Sequence, residues 1–105
     1  MIVVRRLASL KMRGKPVVLR FIRGVPRGWK RTDYGECRRV CDGAKFQVDV
    51  RVDVDDELKV LDRTIHELTH AGLWDLDEEV VEEFATDLSR FLWRLGWRLQ
   101  SPPPP

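Results

Sequence analysis

The stretch Asp55-Asp56-Glu57-Leu58-Lys59-Val60-Leu61-Asp62-Arg63-Thr64-Ile65-His66-Glu67-Leu68-Thr69-His70-Ala71-Gly72 decides how the chain is read. Its three leading acids favour a helix N-terminus, where negative charge meets the exposed N–H groups. Leu58, Leu61, Ile65 and Leu68 then recur at helical spacing on one stripe, and Gly72 is placed to stop the helix. Residues four apart on a helix share a face, so His66 and His70 can both reach one point, with Glu67 beside them. These are the 2 histidines of the whole chain.

Immediately upstream, Phe46, Val48, Val50, Val52 and Val54 alternate with Gln47, Asp49, Arg51, Asp53 and Asp55. The period predicts a strand with one buried and one wet face. Asp42-Gly43 predicts a hairpin turn into it from an extended segment around Tyr34–Cys41. Further back, Val17 to Ile22 is a β-rich run closed by Gly24, Pro26 and Gly28. Residues 3–13 have Val3, Leu7 and Leu10 at helical spacing before Gly14, which predicts a short helix. Downstream, Asp77 is a candidate N-cap for a last helix from Glu78 to about Trp97. Its expected core stripe is Val81, Ala85, Leu88, Leu92 and Leu95, flanked by Val80, Phe84 and Phe91, with Trp93 and Trp97 as cover. The tail 101–105, Ser-Pro-Pro-Pro-Pro, is too proline-rich to pack.

At 105 residues and 43% hydrophobic content the chain makes one domain, residues 1–100, with a modest core that a bound metal would help to hold. No apolar run is long enough for a membrane span or a secretory signal, so a cytoplasmic location is expected. The net charge of +2 conceals a division: residues 1–45 carry 13 Lys and Arg against 3 acids, and residues 46–105 carry 6 against 14. A basic half can contact nucleic acid, but these arginines are scattered, and pairing with the acidic half is the plainer expectation. Cys37 and Cys41, on one strand, would lie roughly 13 Å apart at about 3.3 Å per residue. That is too far for a disulfide, so two reduced thiols are expected.

The His66/Glu67/His70 spacing is that of an H-E-x-x-H zinc site. Catalytic zinc takes imidazole nitrogens, keeps a position for water and acidifies it, and Glu67 stands where the proton can be accepted. A third protein ligand is needed, and no histidine remains. The longer metzincin motif would want glycine where Leu73 stands and histidine where Leu76 stands, so that class is excluded. A carboxylate of the last helix is the alternative, from Glu78, Glu79, Glu82 and Glu83. At about 100° per residue Glu79 and Glu83 point to solvent, while Glu78 borders the apolar stripe beside Ala85 and Glu82 follows one turn later. Glu78 is preferred as ligand and Glu82 as the group orienting His66, with the exchange of roles open. Asp62 is a further candidate for orienting His66, although a solvated aspartate is the plainer reading.

Residues 64–97, with Thr64 through Ala71, Glu78 through Ala85 and Leu95-Gly96-Trp97, resemble a minimal zincin of phage or bacterial type. The similarity is to the ImmA/IrrE-type zinc metallopeptidases with the gluzincin ligand set, in which Glu78, Glu82, Phe84 and Ala85 fit the spacing. The link from His70 to Glu78 is shorter than in that group. The resemblance implies that the strand before the active helix, Phe46–Val54, binds a peptide substrate along its edge. Tyr34 or a nearby arginine could polarise the substrate carbonyl. The expectation is therefore an α+β domain of about three antiparallel strands, an N-terminal helix, the H-E-x-x-H helix and a long C-terminal helix. It would hydrolyse peptide bonds with Zn2+ on His66, His70 and Glu78 and with Glu67 as base. The competing expectation is a non-catalytic zinc-stabilised module that binds nucleic acid or a protein partner through Trp29, Lys30 and Arg31. A zinc hydrolase acting on another bond is a third.

Overall fold

A computed structural model describes residues 3–40, 43–54 and 56–98, with backbone alone for residues 3–6. The order is β1 (Val3–Met12), β2 (Lys15–Arg23), β3 (Gly35–Val40), β4 (Lys45–Arg51), α1 (Glu57–Gly72) and α2 (Glu78–Arg94). The proline tail and residues 1–2 and 99–100 of the expected 1–100 domain fall outside the described residues, as do Cys41 and Asp42 of the cysteine pair and hairpin signal.

The N-terminal segment is a strand, which corrects the helix expected over residues 3–13. Ala8, Leu10 and Met12, two apart, pack against the core on one face. The turn Arg13-Gly14 has φ of 51° and 81°, the double positive φ of a type I′ hairpin, so β1 pairs antiparallel with β2 from Met12↔Lys15 onward. Gly14 is thus a hairpin residue, and the helical spacing of Val3, Leu7 and Leu10 was fortuitous.

The sheet has four strands in the order β1-β2-β4-β3 and is mixed, since β2 and β4 run parallel while the other pairs are antiparallel. The expected three antiparallel strands miss this, because the linker 24–34 carries the chain past β4's place and returns it through β3. Central β4 contributes Phe46, Val48 and Val50, each fully buried. Its other face is not wet as the alternation suggested. Asp49 is 4% exposed and accepts two hydrogen bonds from Arg20 on β2, at 2.7 and 2.8 Å. Arg51 is held by Asp53 and by the carbonyls of Arg31 and Asp33. The neighbouring strands of a central strand supply partners for polar groups that an edge strand would leave to water. Some of the basic half therefore does pair with the acidic half.

The first helix packs on the Phe46/Val48/Val50 face, and α2 packs on α1. Asp56 caps α1 by accepting from the Leu58 N–H at 2.9 Å. Its buried residues are Val60, His66, Glu67, Thr69 and Ala71, whereas Leu58, Leu61, Ile65 and Leu68 are half-buried, so the apolar stripe is not the side turned furthest inward. Gly72 lacks a left-handed φ; a Cβ there would sit 3.1 Å from the Met12 Cε, so its smallness serves contact with β1. The last helix buries Val81, Ala85 and Ser89 and leaves Val80, Phe84, Phe91, Leu95 and Trp97 exposed, against the expectation that these flank or cover the core. It closes with the Gly96 N–H on the Trp93 carbonyl and the Trp97 N–H on the Leu92 carbonyl, Gly96 having φ 95°. No helix among the described residues is long and apolar enough to cross a membrane.

Candidate metal centre

The mid-section of α1 and the first turn of α2 meet at one point. Glu78 reaches across the helix hairpin, with Oε1 2.8 Å from the His66 Nε2 and Oε2 2.8 Å from the His70 Nε2. The two Nε2 atoms are 3.2 Å apart. Ligands at about 2.0–2.1 Å around a tetrahedral zinc are separated by roughly 3.3 Å. The two Nε2 atoms have that spacing, and each Glu78 oxygen lies about half an ångström nearer to its own imidazole, so these three side chains could hold such an ion once the carboxylate draws back slightly. Glu67 also places a carboxylate oxygen within 4.8 Å of ring nitrogens of both histidines.

Burial is uneven across the site. His66 and Glu67 are buried, His70 is half-buried, and the Glu78 side chain is 63% exposed, not the buried carboxylate anticipated beside the core. Burial, followed by the nearby Arg63 charge, lowers the pKa of His66 and favours its neutral, ligating form. Burial pushes the Glu67 carboxyl up to about 7, with Arg63 opposing the rise.

The site opens into a cleft of about 420 Å³ lined by Gly35, Glu36, Cys37, Arg63, His66, Glu67, His70, Trp74 and Glu78. One wall is β3, an edge strand that among the described residues is hydrogen-bonded only to β4. The Phe46–Val54 segment cannot bind a peptide along its edge as the resemblance implied, because β4 is paired on both sides. The free edge beside the histidines belongs to β3.

Several roles shift accordingly. Glu82 is exposed and makes no hydrogen bond or ion pair with His66 among the described residues, and Asp62 faces the Thr86 hydroxyl at 3.4 Å instead. Tyr34 lies in a separate cleft with Arg51. Trp29 donates its indole N–H to Glu36 at 2.6 Å, apart from the histidines. Three residues had no signal of their own in the sequence: Arg63, whose Nη1 is 3.7 Å from Glu67 Oε2, and Gly35 and Trp74 in the cleft. Gly35 is small for a reason, since a Cβ would come within 2.5 Å of the Arg63 Cγ and 3.0 Å of the Glu67 Cγ. Cys37 is the third cleft residue of β3, and burial with the Glu67 and Glu36 charges pushes its thiol up to about 12.

Comparison with protein-family models, curated proteins and solved structures gives no match. The chemistry of the site therefore rests on its own residues.

Proposed function

We propose that this chain is a zinc-dependent peptidase in which His66, His70 and Glu78 hold the metal and Glu67 is the general base. The observation that carries the reading is the meeting of two imidazole nitrogens 3.2 Å apart with a carboxylate that sets one oxygen 2.8 Å from each, beside a second, buried carboxylate. A zinc ion bound there supplies polarisation of a peptide carbonyl and acidification of a water molecule. The Glu67 carboxylate, buried beside the two imidazoles, would serve as the base that takes a proton from water and returns it to the departing amine. Arg63, one turn before Glu67 on α1, sets its Nη1 3.7 Å from the Glu67 Oε2 and keeps a positive charge on the cleft wall.

A peptide lies extended along the free edge of β3, where backbone hydrogen bonds hold any sequence and alternate side chains meet the cleft wall. Glu82 has no part in metal binding on this reading. Zinc analysis of purified protein, with wild type and Glu67→Gln compared in a protease assay, tests the proposal. Zinc in both proteins with cleavage by the wild type alone is expected. Native protein purified without chelators and free of metal would overturn it, and zinc in both with cleavage by neither would leave a non-catalytic module.

A further inference from the structure

The outer side of α2 presents an apolar stripe that the domain leaves uncovered. Val80 is 48% exposed, Phe84 51%, Phe91 58% and the C-cap Leu95 62%, and Trp97, just past the end of the helix, adds to the patch at 62%. With aromatic side chains at about 150–250 Å² each, the stripe exposes on the order of 500 Å². That is as large as the largest patch usual on a monomer, about 300–600 Å². Its spacing of four, seven and four residues keeps it on one helical face for the full length of α2.

The charge beside the stripe indicates what covers it. Glu83 and Asp87 lie on the N-terminal side of Leu88 in α2, Arg90 and Arg94 on its C-terminal side, and none of the four is in an ion pair among the described residues. Such a helix is complementary to itself when turned end for end. A twofold axis near Leu88 sets Glu83 of one copy opposite Arg94 of the other and Asp87 opposite Arg90. The same axis brings Val80 alongside Leu95 and Trp97, and Phe84 alongside Phe91. A parallel arrangement would instead set this charged flank against the opposite flank of the partner helix, where these pairs do not form.

We infer that α2 is the self-association surface of this protein, pairing antiparallel with α2 of a second copy. Two stripes together bury about 1,000 Å², the lower bound for a specific interface, so the dimer dissociates on dilution. The inference is independent of the metal and of catalysis.

Sedimentation of the full chain from about 1 to 100 μM tests it, with a dissociation constant on the order of micromolar expected. Phe91→Asp shifts that constant at least about tenfold toward monomer. Glu83→Arg and Arg94→Glu each weaken the dimer, because each sets like charges opposite one another. An equimolar mixture of those two variants, or the double variant, regains wild-type association. Helical circular dichroism and the melting temperature verify that every variant is folded. A wild type that stays monomeric over the whole range overturns the inference. So does a dimer that survives Phe91→Asp, or a mixture that associates no better than its components.

Discussion

Replacing Glu78 by Gln removes the carboxylate that lies 2.8 Å from both imidazoles and leaves the helix hairpin otherwise unaltered. Glutamine keeps one neutral oxygen and turns an NH₂ group toward the second nitrogen, so the site loses a charged donor and gains a misplaced proton. Losing a partner that only orients a metal ligand costs about 10–100-fold in affinity, and a ligand itself should cost no less. In a buffer holding free zinc at about 100 times the wild-type dissociation constant, binding adds about 2.7 kcal/mol to wild-type stability. A hundredfold loss leaves about 0.4 kcal/mol by the same relation. At about 4–8 °C per kcal/mol for a domain of this size, the zinc-induced rise in melting temperature falls from roughly 10–20 °C to about 2–3 °C. Glu82→Gln, exposed and without contact to either histidine, keeps the full rise. Thermal unfolding of the three proteins with and without buffered zinc decides the matter. A collapsed rise in Glu82→Gln, or a full rise in Glu78→Gln, refutes the assignment of the third ligand.

Gly35→Ala forces a methyl against Arg63 and Glu67, an overpacking that costs about 1–3 kcal/mol. A melting temperature equal to wild type would show that β3 does not press on α1 as described. Cys37, its thiol pushed up to about 12, should alkylate much more slowly at pH 8 than an ordinary thiol. The measurement uses iodoacetamide on a Cys41→Ser background, and labelling at the rate of a free peptide thiol would contradict the burial. The hydrogen bond from Arg51 holds the Asp53 carboxyl below its ordinary value, with a smaller contribution from the Gly24 N–H at 3.0 Å. A depressed carboxyl stabilises the fold above its unfolded value and loses that contribution as pH falls through the folded one. Asp53→Asn is thus less stable than wild type at neutral pH, and the gap closes in acid; a gap that persists at low pH argues against the ion pair.

Much of the site was legible because helical spacing is local. His66, Glu67 and His70 lie within one and a half turns, and Glu78 follows from the short link and a helix wheel. What was not legible is non-local. Whether β4 is an edge or a centre depends on where β3 and β2 lie, and no periodicity within Phe46–Val54 records that. The polar face of β4 looked solvated for the same reason, since the partner of Asp49 is Arg20, distant in sequence. The misread N-terminal segment had short-range ambiguity, because Leu7 and Leu10 satisfy a helix while Ala8, Leu10 and Met12 satisfy a strand. Only the Arg13-Gly14 turn, which lacks the usual asparagine or aspartate, decides between them. Phe84 and Phe91 were assigned to the core's margin because large apolar residues normally seek burial. The inner face of α2 is instead made of small ones.

That inner face sets the geometry of the candidate metal site. Val81, Ala85 and Ser89 are essentially fully buried, and small side chains at a helix contact let the axes approach toward the near end of the usual 8–10 Å. Glu78 sits one turn before Val81 on the same side, so the closeness of α2 to α1 determines whether one carboxylate can touch both imidazoles at 2.8 Å. Ala85→Leu, two turns from Glu78 on the buried side of α2, therefore tests how the site is built. The larger side chain costs about 1–3 kcal/mol if the helices stay close, or forces α2 outward to relieve it. In the second case Glu78 withdraws from the triangle and zinc affinity falls with it, while Leu at the exposed position 84 leaves affinity unchanged. Calorimetric zinc titration separates the cases. An Ala85→Leu protein that loses stability yet binds zinc as wild type would mean that the loop Leu73–Asp77, not the helix contact, positions Glu78.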